Sequence, residues 1–147
     1  MTTGGPTPSP VARMRALAGV AVLVVEDHDD SRDALCQVME AQGAKVSGAR
    51  DAAEGLALAC LSPPDVILCD LVMPCMDGFG LLRRLRQVAA LRETPVIAIS
   101  GLGTESDRAR TLAAGFEAHL LKPIDFDTTV RAVARVARSA RRAHPSR

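Results

Sequence analysis

Five short strand-like runs alternate with longer segments of helical periodicity along the chain. The runs are rich in Val, Ile, Leu and Ala, and such runs are typical of parallel strands that helices cover on both faces. They span residues 20–25, 45–49, 66–69, 96–100 and 118–121. Five strand–helix units in series, joined by right-handed crossovers, predict an α/β domain with a doubly wound parallel sheet.

The segments between the runs carry residues that favour helix ends. Asp30 or Ser31 would cap the first helix, and Gly43 and Gly115 would end the first and the fourth. Asp29 also favours capping at this turn, and the neighbouring His28 is expected to face solvent. Helices are therefore predicted over residues 30–41, 51–60, 78–88, 104–114 and 125–140.

The chain length matches one domain. A domain of 147 residues can bury a sufficient core without disulfides or a structural metal. Its first ten residues are mostly small, polar, Pro or Gly, so residues 1–16 are expected to form a disordered tail or linker. We expect the folded domain over residues 17–140 and a basic tail over residues 141–147.

Charge and composition exclude several classes of function. A net charge of +1 argues against a domain built to bind nucleic acid or anionic lipid. The chain has no Trp or Tyr and only three Phe, so a base-stacking platform is not expected. The apolar run before Glu26 is too short to cross a bilayer and lacks a cleavage site. We therefore expect a cytoplasmic protein without a nucleic-acid or membrane partner.

The cysteines do not indicate a metal site. They form no Cys-x-x-Cys pair, and no histidine lies near them at ligand spacing. We predict that all four are reduced, buried thiols. The four are Cys36, Cys60, Cys69 and Cys75.

Polar residues collect where the predicted strands end. Glu26 and Asp27 follow the first strand, Asp70 the third and Lys122 the fifth, and Ser100 ends the fourth. Ligands of open α/β sheets bind beyond these carboxyl ends. Two carboxylates about 4 Å apart repel by about 4 kcal/mol at an effective dielectric constant of 20, so a cation must compensate them. Hard oxygen ligands select Mg²⁺ or Mn²⁺.

Together these positions resemble the receiver domain of two-component response regulators, over about residues 20–140. The resemblance rests on the acidic pair Glu26-Asp27, on Asp70 with the stretch that follows it to residue 78, on Ser100 and on Lys122-Pro123. It implies a flavodoxin-like sheet of strand order 2-1-3-4-5, flanked by five helices.

The resemblance also implies the roles of the site residues. Asp70 would be the phosphoacceptor, attacking a phosphohistidine of a histidine kinase or a phosphotransfer protein. Glu26, Asp27, Asp70 and the backbone carbonyl of Val72 would bind the metal. Glu26 stands where Asp is commoner in the family.

Three further positions would serve the phosphoryl group itself. Lys122 and Ser100 would hold phosphoryl oxygens, and the small Gly101 would leave access to them. The Lys122–Pro123 peptide bond is expected to be cis, as in the family.

Three other residues are expected to tune the response. His119 occupies the position of the aromatic switch residue, although a half-exposed histidine with no switching role is equally compatible with the sequence. Val72 and Leu102 flank the site and are apolar, so neither can position an attacking water. We therefore predict slow autodephosphorylation and no enzymatic activity of the protein itself.

Output is expected through protein contact. No output domain fits after residue 140, so the signal would pass through the face of helix 4, strand 5 and helix 5 to a downstream protein, with a homodimer as a further option. One face of the last helix is basic, and it is expected either to be a solvated face or to bind an acidic partner. Its arginines are Arg131, Arg135, Arg138 and Arg142.

Two alternatives stay open. The chain could be the receiver of a hybrid histidine kinase, with residues 1–16 as its linker. It could also be a Mg²⁺-dependent phosphohydrolase that forms an aspartyl phosphate. The second is disfavoured because Asp70 is followed by Leu-Val and not by a second Asp two positions on.

Overall fold

A parallel five-stranded sheet forms the centre of the protein in a computed structural model that describes residues 15–143. The strand order is β2-β1-β3-β4-β5, and every neighbouring pair is parallel. The fold class and strand order inferred from the sequence are therefore confirmed. The strands are β1 (Ala21–Val25), β2 (Lys45–Ala49), β3 (Val66–Asp70), β4 (Val96–Ser100) and β5 (Ala118–Leu121).

Helices connect the strands and cover both faces of the sheet. Helices α1 and α5 pack on one face and helices α2 and α3 on the other. A short 3₁₀ turn at Ala89–Leu91 precedes β4. The helices are α1 (Asp29–Ala41), α2 (Ala52–Leu61), α3 (Gly78–Arg86), α4 (Glu105–Ala114) and α5 (Phe126–Ala143).

Successive side chains of the central strands enter opposite halves of the core. On β3, Leu68 packs with the cluster on the α1 and α5 side, whereas Ile67 and Cys69 belong to the α2 and α3 side. Burial on both faces explains why β3 and β4 lack the apolar–polar alternation of a half-exposed strand. It also delivers Asp70, the last residue of β3, to the carboxyl edge of the sheet from a rigid element.

Polar caps start the helices around the sheet. Asp51, Asp77 and Thr104 each accept a backbone N–H three residues on, so α2 and α4 begin one residue after their predicted first residues. Asp125 accepts the N–H of Asp127 at 3.2 Å at the start of α5. Gly115 ends α4 with φ 116°, as its position predicted.

The predicted cap of α1 is wrong. The helix begins at Asp29, and its N-cap is His28, whose side chain makes no capping hydrogen bond. Asp29 and Asp30 lie in the first turn instead, where their carboxylates favour the positive end of the helix dipole. Arg32 holds this earlier start, because it donates to a carboxylate oxygen of Asp29 at 2.6 Å.

The described ends of the chain differ slightly from prediction. Residues 1–14 of the predicted tail lie outside the described residues, and Arg15 starts a turn that leads to the fully buried Leu17. Helix α5 runs three residues past its predicted end to Ala143. Arg141 extends it by donating to the carbonyl oxygen of Gly19 at 2.9 Å. Residues 144–147 of the predicted basic tail lie outside the described residues.

The prediction of four buried thiols is wrong for two of them. All four cysteines are free, and Cys69 is buried in β3, while Cys36 is partly buried. Cys60 lies on the outer face of α2 and Cys75 on the loop after β3, and both are exposed. Within residues 15–143, no helix is long and apolar enough to cross a membrane.

Candidate functional site

Two buried carboxylates and one ammonium group meet at the carboxyl edge of the sheet. Glu26 follows β1 and is 2% exposed, and Asp70 ends β3 and is 4% exposed. Lys122, the residue after β5, places its Nζ 2.9 Å from Oδ2 of Asp70 and 3.2 Å from Oε1 of Glu26. The ammonium group therefore bridges the ends of three strands.

A third carboxylate and an imidazole lie beside this bridge. Oδ1 of Asp27 is buried and accepts no hydrogen bond from residues 15–143. Nδ1 of His28 lies 3.5 Å from this oxygen and 3.3 Å from Oε2 of Glu26. One donor atom from each of Glu26, Asp27, His28 and Asp70 falls within 4.8 Å of the others. The structure thus brings the predicted carboxylates together. It also places His28 beside them, with its side chain 69% exposed, as the sequence predicted.

The electrostatics of this cluster favour a further cation. Burial raises the pKa of Glu26, and the neighbouring Asp70 and Asp27 raise it further, against the lowering effects of the His28 N–H and Lys122. Burial lowers the pKa of Lys122, but its hydrogen bonds and charge interactions with Asp70 and Glu26 outweigh burial and raise it overall. Among the described residues, one ammonium group faces three carboxylates, and one buried carboxylate oxygen has no donor. The residues present therefore fit a divalent cation.

The loop after β3 fixes the Asp70 side chain. The N–H of Val72 donates to Oδ1 of Asp70 at 3.1 Å, while the Val72 side chain is 62% exposed. Gly78 closes the loop, because its N–H donates to the carbonyl oxygen of Leu71 at 3.0 Å. A Cβ at Gly78 would lie 2.9 Å from the Asp70 carbonyl oxygen. The sequence predicted Gly78 as a helix start and as the end of the family-like stretch after Asp70, but its role in packing against the site was missed.

Ser100 reaches the same edge from β4. Asp70 pairs in register with Ile99, so Ser100 lies one residue further along the neighbouring strand. The Ser100 side chain is buried, and its Oγ accepts the N–H of Leu102 at 2.8 Å. Leu102 is 45% exposed, and a Cβ at Gly101 would meet no atom within 4 Å. In this arrangement the hydroxyl is engaged by its own loop, and the space above Gly101 is open.

The segment after β5 is tied to Ser100. The N–H of Lys122 donates to the Ser100 carbonyl oxygen at 2.9 Å, which fixes the end of β5 beside the end of β4. The peptide bond between Lys122 and Pro123 is cis, as the resemblance implied.

Arg32 is a site residue that was not predicted from the sequence. Its Nη1 donates to the Glu26 carbonyl oxygen at 2.9 Å, and its Nη2 to a carboxylate oxygen of Asp29 at 2.6 Å. It therefore fixes the backbone of the acidic pair relative to the first turn of α1. The spacing of Asp29 and Arg32, three residues apart in a helical first turn, was the available signal.

His119 lies on β5 in the register of Ala98 and is half-buried. Its Nε2 is buried and has no hydrogen-bond partner among the described residues. Burial lowers the pKa of His119, the nearby Arg108 lowers it further, and Asp107 opposes both. The folded protein therefore favours the neutral imidazole.

Acid is expected to destabilise the protein through His119. Between the lowered pKa of the folded state and the ordinary value of 6.5, the unfolded chain binds more protons, so stability falls as the pH drops through this window. In His119→Phe this contribution is absent. Urea unfolding at several pH values between about 5 and 8 should show that the stability of wild type relative to the variant falls toward low pH. A difference independent of pH would contradict the assignment.

Comparisons with known proteins place this geometry in a family. The response regulator receiver domain model matches residues 22–134. Protein PilH of Pseudomonas aeruginosa is 32% identical over 112 residues, which cover 76% of this chain and 93% of PilH. Response regulator PleD of Caulobacter vibrioides is 38% identical over 104 residues, which cover 71% of this chain but only 23% of PleD.

The structural comparison gives the same result. The signal receiver domain of a signal transduction histidine kinase from Syntrophus aciditrophicus superposes with a TM-score of 0.76 at 30% identity. The alignment covers 84% of this chain and 94% of that one. The residues that the family model matches, 22–134, include the strand ends that carry Glu26, Asp70 and Lys122. On the family match, the relatives and the shared fold, this chain belongs to the response regulator receiver domains of two-component signalling.

Proposed function

We propose that this protein accepts a phosphoryl group on Asp70 from a phosphohistidine. Receiver domains are generally signalling phosphoacceptors and not enzymes, and they interact with histidine kinases or phosphotransfer proteins. A carboxylate oxygen of Asp70 would attack phosphorus while the P–N bond to the donor histidine breaks. The products are an acyl phosphate on Asp70 and a free imidazole on the donor.

The position of Asp70 carries the proposal. Its carboxylate ends the central strand β3, is nearly inaccessible, and has Lys122 Nζ at 2.9 Å and the Val72 N–H at 3.1 Å. Phosphoryl transfer requires mainly positioning and charge compensation from a protein. Both hydrogen bonds position the carboxylate, and Lys122 supplies a positive charge next to the group to be transferred.

Receiver domains bind Mg²⁺ at an acidic pocket, and the chain has such a pocket. We assign Glu26, Asp27, Asp70 and the backbone carbonyl of Val72 to hold Mg²⁺ or Mn²⁺. The orphaned Oδ1 of Asp27 and the excess of carboxylates over ammonium groups support this assignment. The ion would compensate the charge of the incoming phosphoryl oxygens.

The same residues would convert phosphorylation into a change of shape. A phosphoryl group brings negative charge and three acceptor oxygens. Lys122 can exchange a carboxylate partner for one of these oxygens, and the Ser100 hydroxyl can leave the Leu102 N–H to donate to another. Movement of the loop at Leu102 would bias α4 and the neighbouring β5, where His119 lies. We propose that this α4–β5–α5 face contacts the downstream protein.

Intact mass after incubation with acetyl phosphate tests the proposal. Wild type should gain one phosphoryl group with Mg²⁺ and none with excess chelator. Asp70→Asn should gain none under either condition, whereas Asp33→Asn, at an exposed position on α1, should behave as wild type. Modification of Asp70→Asn, or no gain by wild type with Mg²⁺, would refute the proposed phosphoacceptor.

Slow loss of the phosphoryl group is a second expected result. The exposed side chains beside the site, Val72 and Leu102, are aliphatic and can neither orient nor deprotonate a water. The double variant Val72→Asn, Leu102→Glu adds polar groups there and should lose the phosphoryl group about tenfold faster or more. The measurement is the decay of the phosphorylated mass after removal of acetyl phosphate. Decay at the wild-type rate would show that these side chains do not limit hydrolysis.

A further inference from the structure

On the basis of the metal site in the proposed function, we propose that the imidazole of His28 is a further protein ligand there. Its Nδ1 would join the carboxylates of Glu26, Asp27 and Asp70. A mixed set of carboxylates and one imidazole would prefer a transition-metal ion such as Mn²⁺ or Co²⁺ over Mg²⁺.

The distances around His28 are those of a ligand set. Neighbouring ligands lie about 3.0 Å apart in an octahedral site with bonds of about 2.1 Å, and about 3.4 Å apart in a tetrahedral one. Nδ1 of His28 lies 3.3 Å from Oε2 of Glu26 and 3.5 Å from Oδ1 of Asp27. The imidazole can therefore reach a shared ion with little movement of the backbone.

The partners of these atoms also leave room for an ion. Lys122 contacts one oxygen of Glu26, Oε1, whereas the other, Oε2, accepts the N–H of His28 and faces its ring. Oδ1 of Asp27 is buried and has no hydrogen-bond partner in the part of the chain that the structure describes. The two oxygens nearest the imidazole are thus the ones that Lys122 does not bind.

Helix capping does not explain the position of the His28 side chain. The residue is the N-cap of α1, yet its side chain makes no capping hydrogen bond. The side chain is 69% exposed, so burial does not hold the ring against the carboxylates either. What orients the ring is its contact with Glu26 and Asp27. A metal ion bound between these atoms would replace the proton that the ring and Glu26 share in this contact.

The imidazole nitrogen determines which metal ions the site binds more tightly. Carboxylate, carbonyl and water oxygens suit Mg²⁺, whereas imidazole nitrogen raises affinity for first-row transition metals. Removal of His28 should therefore weaken Co²⁺ and Mn²⁺ binding selectively. Removal of a carboxylate such as Asp27 should weaken binding of every divalent ion.

Calorimetric titrations with Mg²⁺, Mn²⁺ and Co²⁺ test the selectivity on the full chain. In His28→Ala the Co²⁺ affinity should fall about tenfold or more, while the Mg²⁺ affinity stays within about twofold of wild type. His28→Asn keeps a favoured N-cap residue, so it controls for a loss of Co²⁺ affinity that results from fraying of α1. Asp27→Asn distinguishes binding at this site from binding to the exposed thiols, because only site binding is lost in it.

Pulsed electron paramagnetic resonance of bound Mn²⁺ provides a readout independent of affinity. Wild type should show coupling to a nitrogen nucleus, and His28→Ala should not. Equal losses of Mg²⁺ and Co²⁺ affinity, or no nitrogen coupling in wild type, would overturn the role of His28 and leave Asp70 phosphorylation with Mg²⁺ intact. Failure of wild type to bind any of the three ions would overturn both this inference and the metal site of the proposed function.

Discussion

Replacement of Lys122 by methionine is expected to lower the free energy of unfolding by about 2–3 kcal/mol in the absence of divalent cations. The ammonium group is the cation that bridges Glu26 and Asp70, and both carboxylates are almost fully buried. Without it, two buried negative charges face each other. The loss is smaller than the about 3–5 kcal/mol typical of a fully buried pair, because Lys122 is 30% exposed and solvent already screens it.

The chain offers a matched control for this substitution. Lys45, the other of its two lysines, is exposed on the edge strand β2. Lys45→Met should change stability by no more than about 0.5 kcal/mol. Urea unfolding of the two variants at pH 7 with chelator provides the comparison. Equal stabilities would show that the bridge at Lys122 contributes nothing to the fold.

A double variant distinguishes the loss of attraction to Lys122 from the repulsion between the Glu26 and Asp70 carboxylates. In Lys122→Met, Asp70→Asn the carboxylate of Glu26 faces an amide in place of a second carboxylate. Most of the stability lost in Lys122→Met should therefore return, and the two substitutions should be strongly non-additive. Additive effects would mean that Asp70 and Lys122 do not interact across the 2.9 Å contact.

The strand pattern made the sheet and the strand-end residues predictable. Continuous apolar runs fixed β3 and β4 because both faces of these strands are buried, and Asp70 and Ser100 follow from where the runs end. The proximity of Glu26 to Lys122, 96 positions apart, was predictable only because parallel strands bring their carboxyl ends to one edge. The contacts between site residues that are far apart in the sequence were therefore predictable from the sheet topology.

Side-chain orientation was not predictable in the same way. Asp30 and Ser31 are good capping residues, yet His28 takes the N-cap. Arg32 holds the first turn there through its contacts with the Asp29 carboxylate and the Glu26 carbonyl. The apolar character of cysteine also led to a wrong prediction of burial for Cys60, which is exposed on the outer face of α2. In each case the outcome depends on a tertiary contact or a helical phase that residue type alone does not encode.

Gly78→Ala is expected to destabilise the protein by about 1–3 kcal/mol and to slow phosphorylation of Asp70. The new Cβ would lie 2.9 Å from the Asp70 carbonyl oxygen and 3.0 Å from Cα of Leu71. Both are backbone atoms at the end of β3, so the contact cannot be relieved by rotation of a side chain. Either α3 must move away or the segment that carries Asp70 must shift.

Gly101→Ala is the matched control for stability, because a Cβ there meets no atom within 4 Å. It should leave the free energy of unfolding unchanged or raise it by about 0.5 kcal/mol through the unfolded state. Gly78→Ala alters no charge at the site, unlike substitution of Lys122. A lower phosphorylation rate in Gly78→Ala, measured by mass at saturating acetyl phosphate and Mg²⁺, would therefore report the position of Asp70 and not its electrostatics. A stability and a phosphorylation rate equal to those of wild type would show that the loop after β3 accommodates the Cβ without loss of free energy of unfolding. They would also show that the loop does not position the phosphoacceptor.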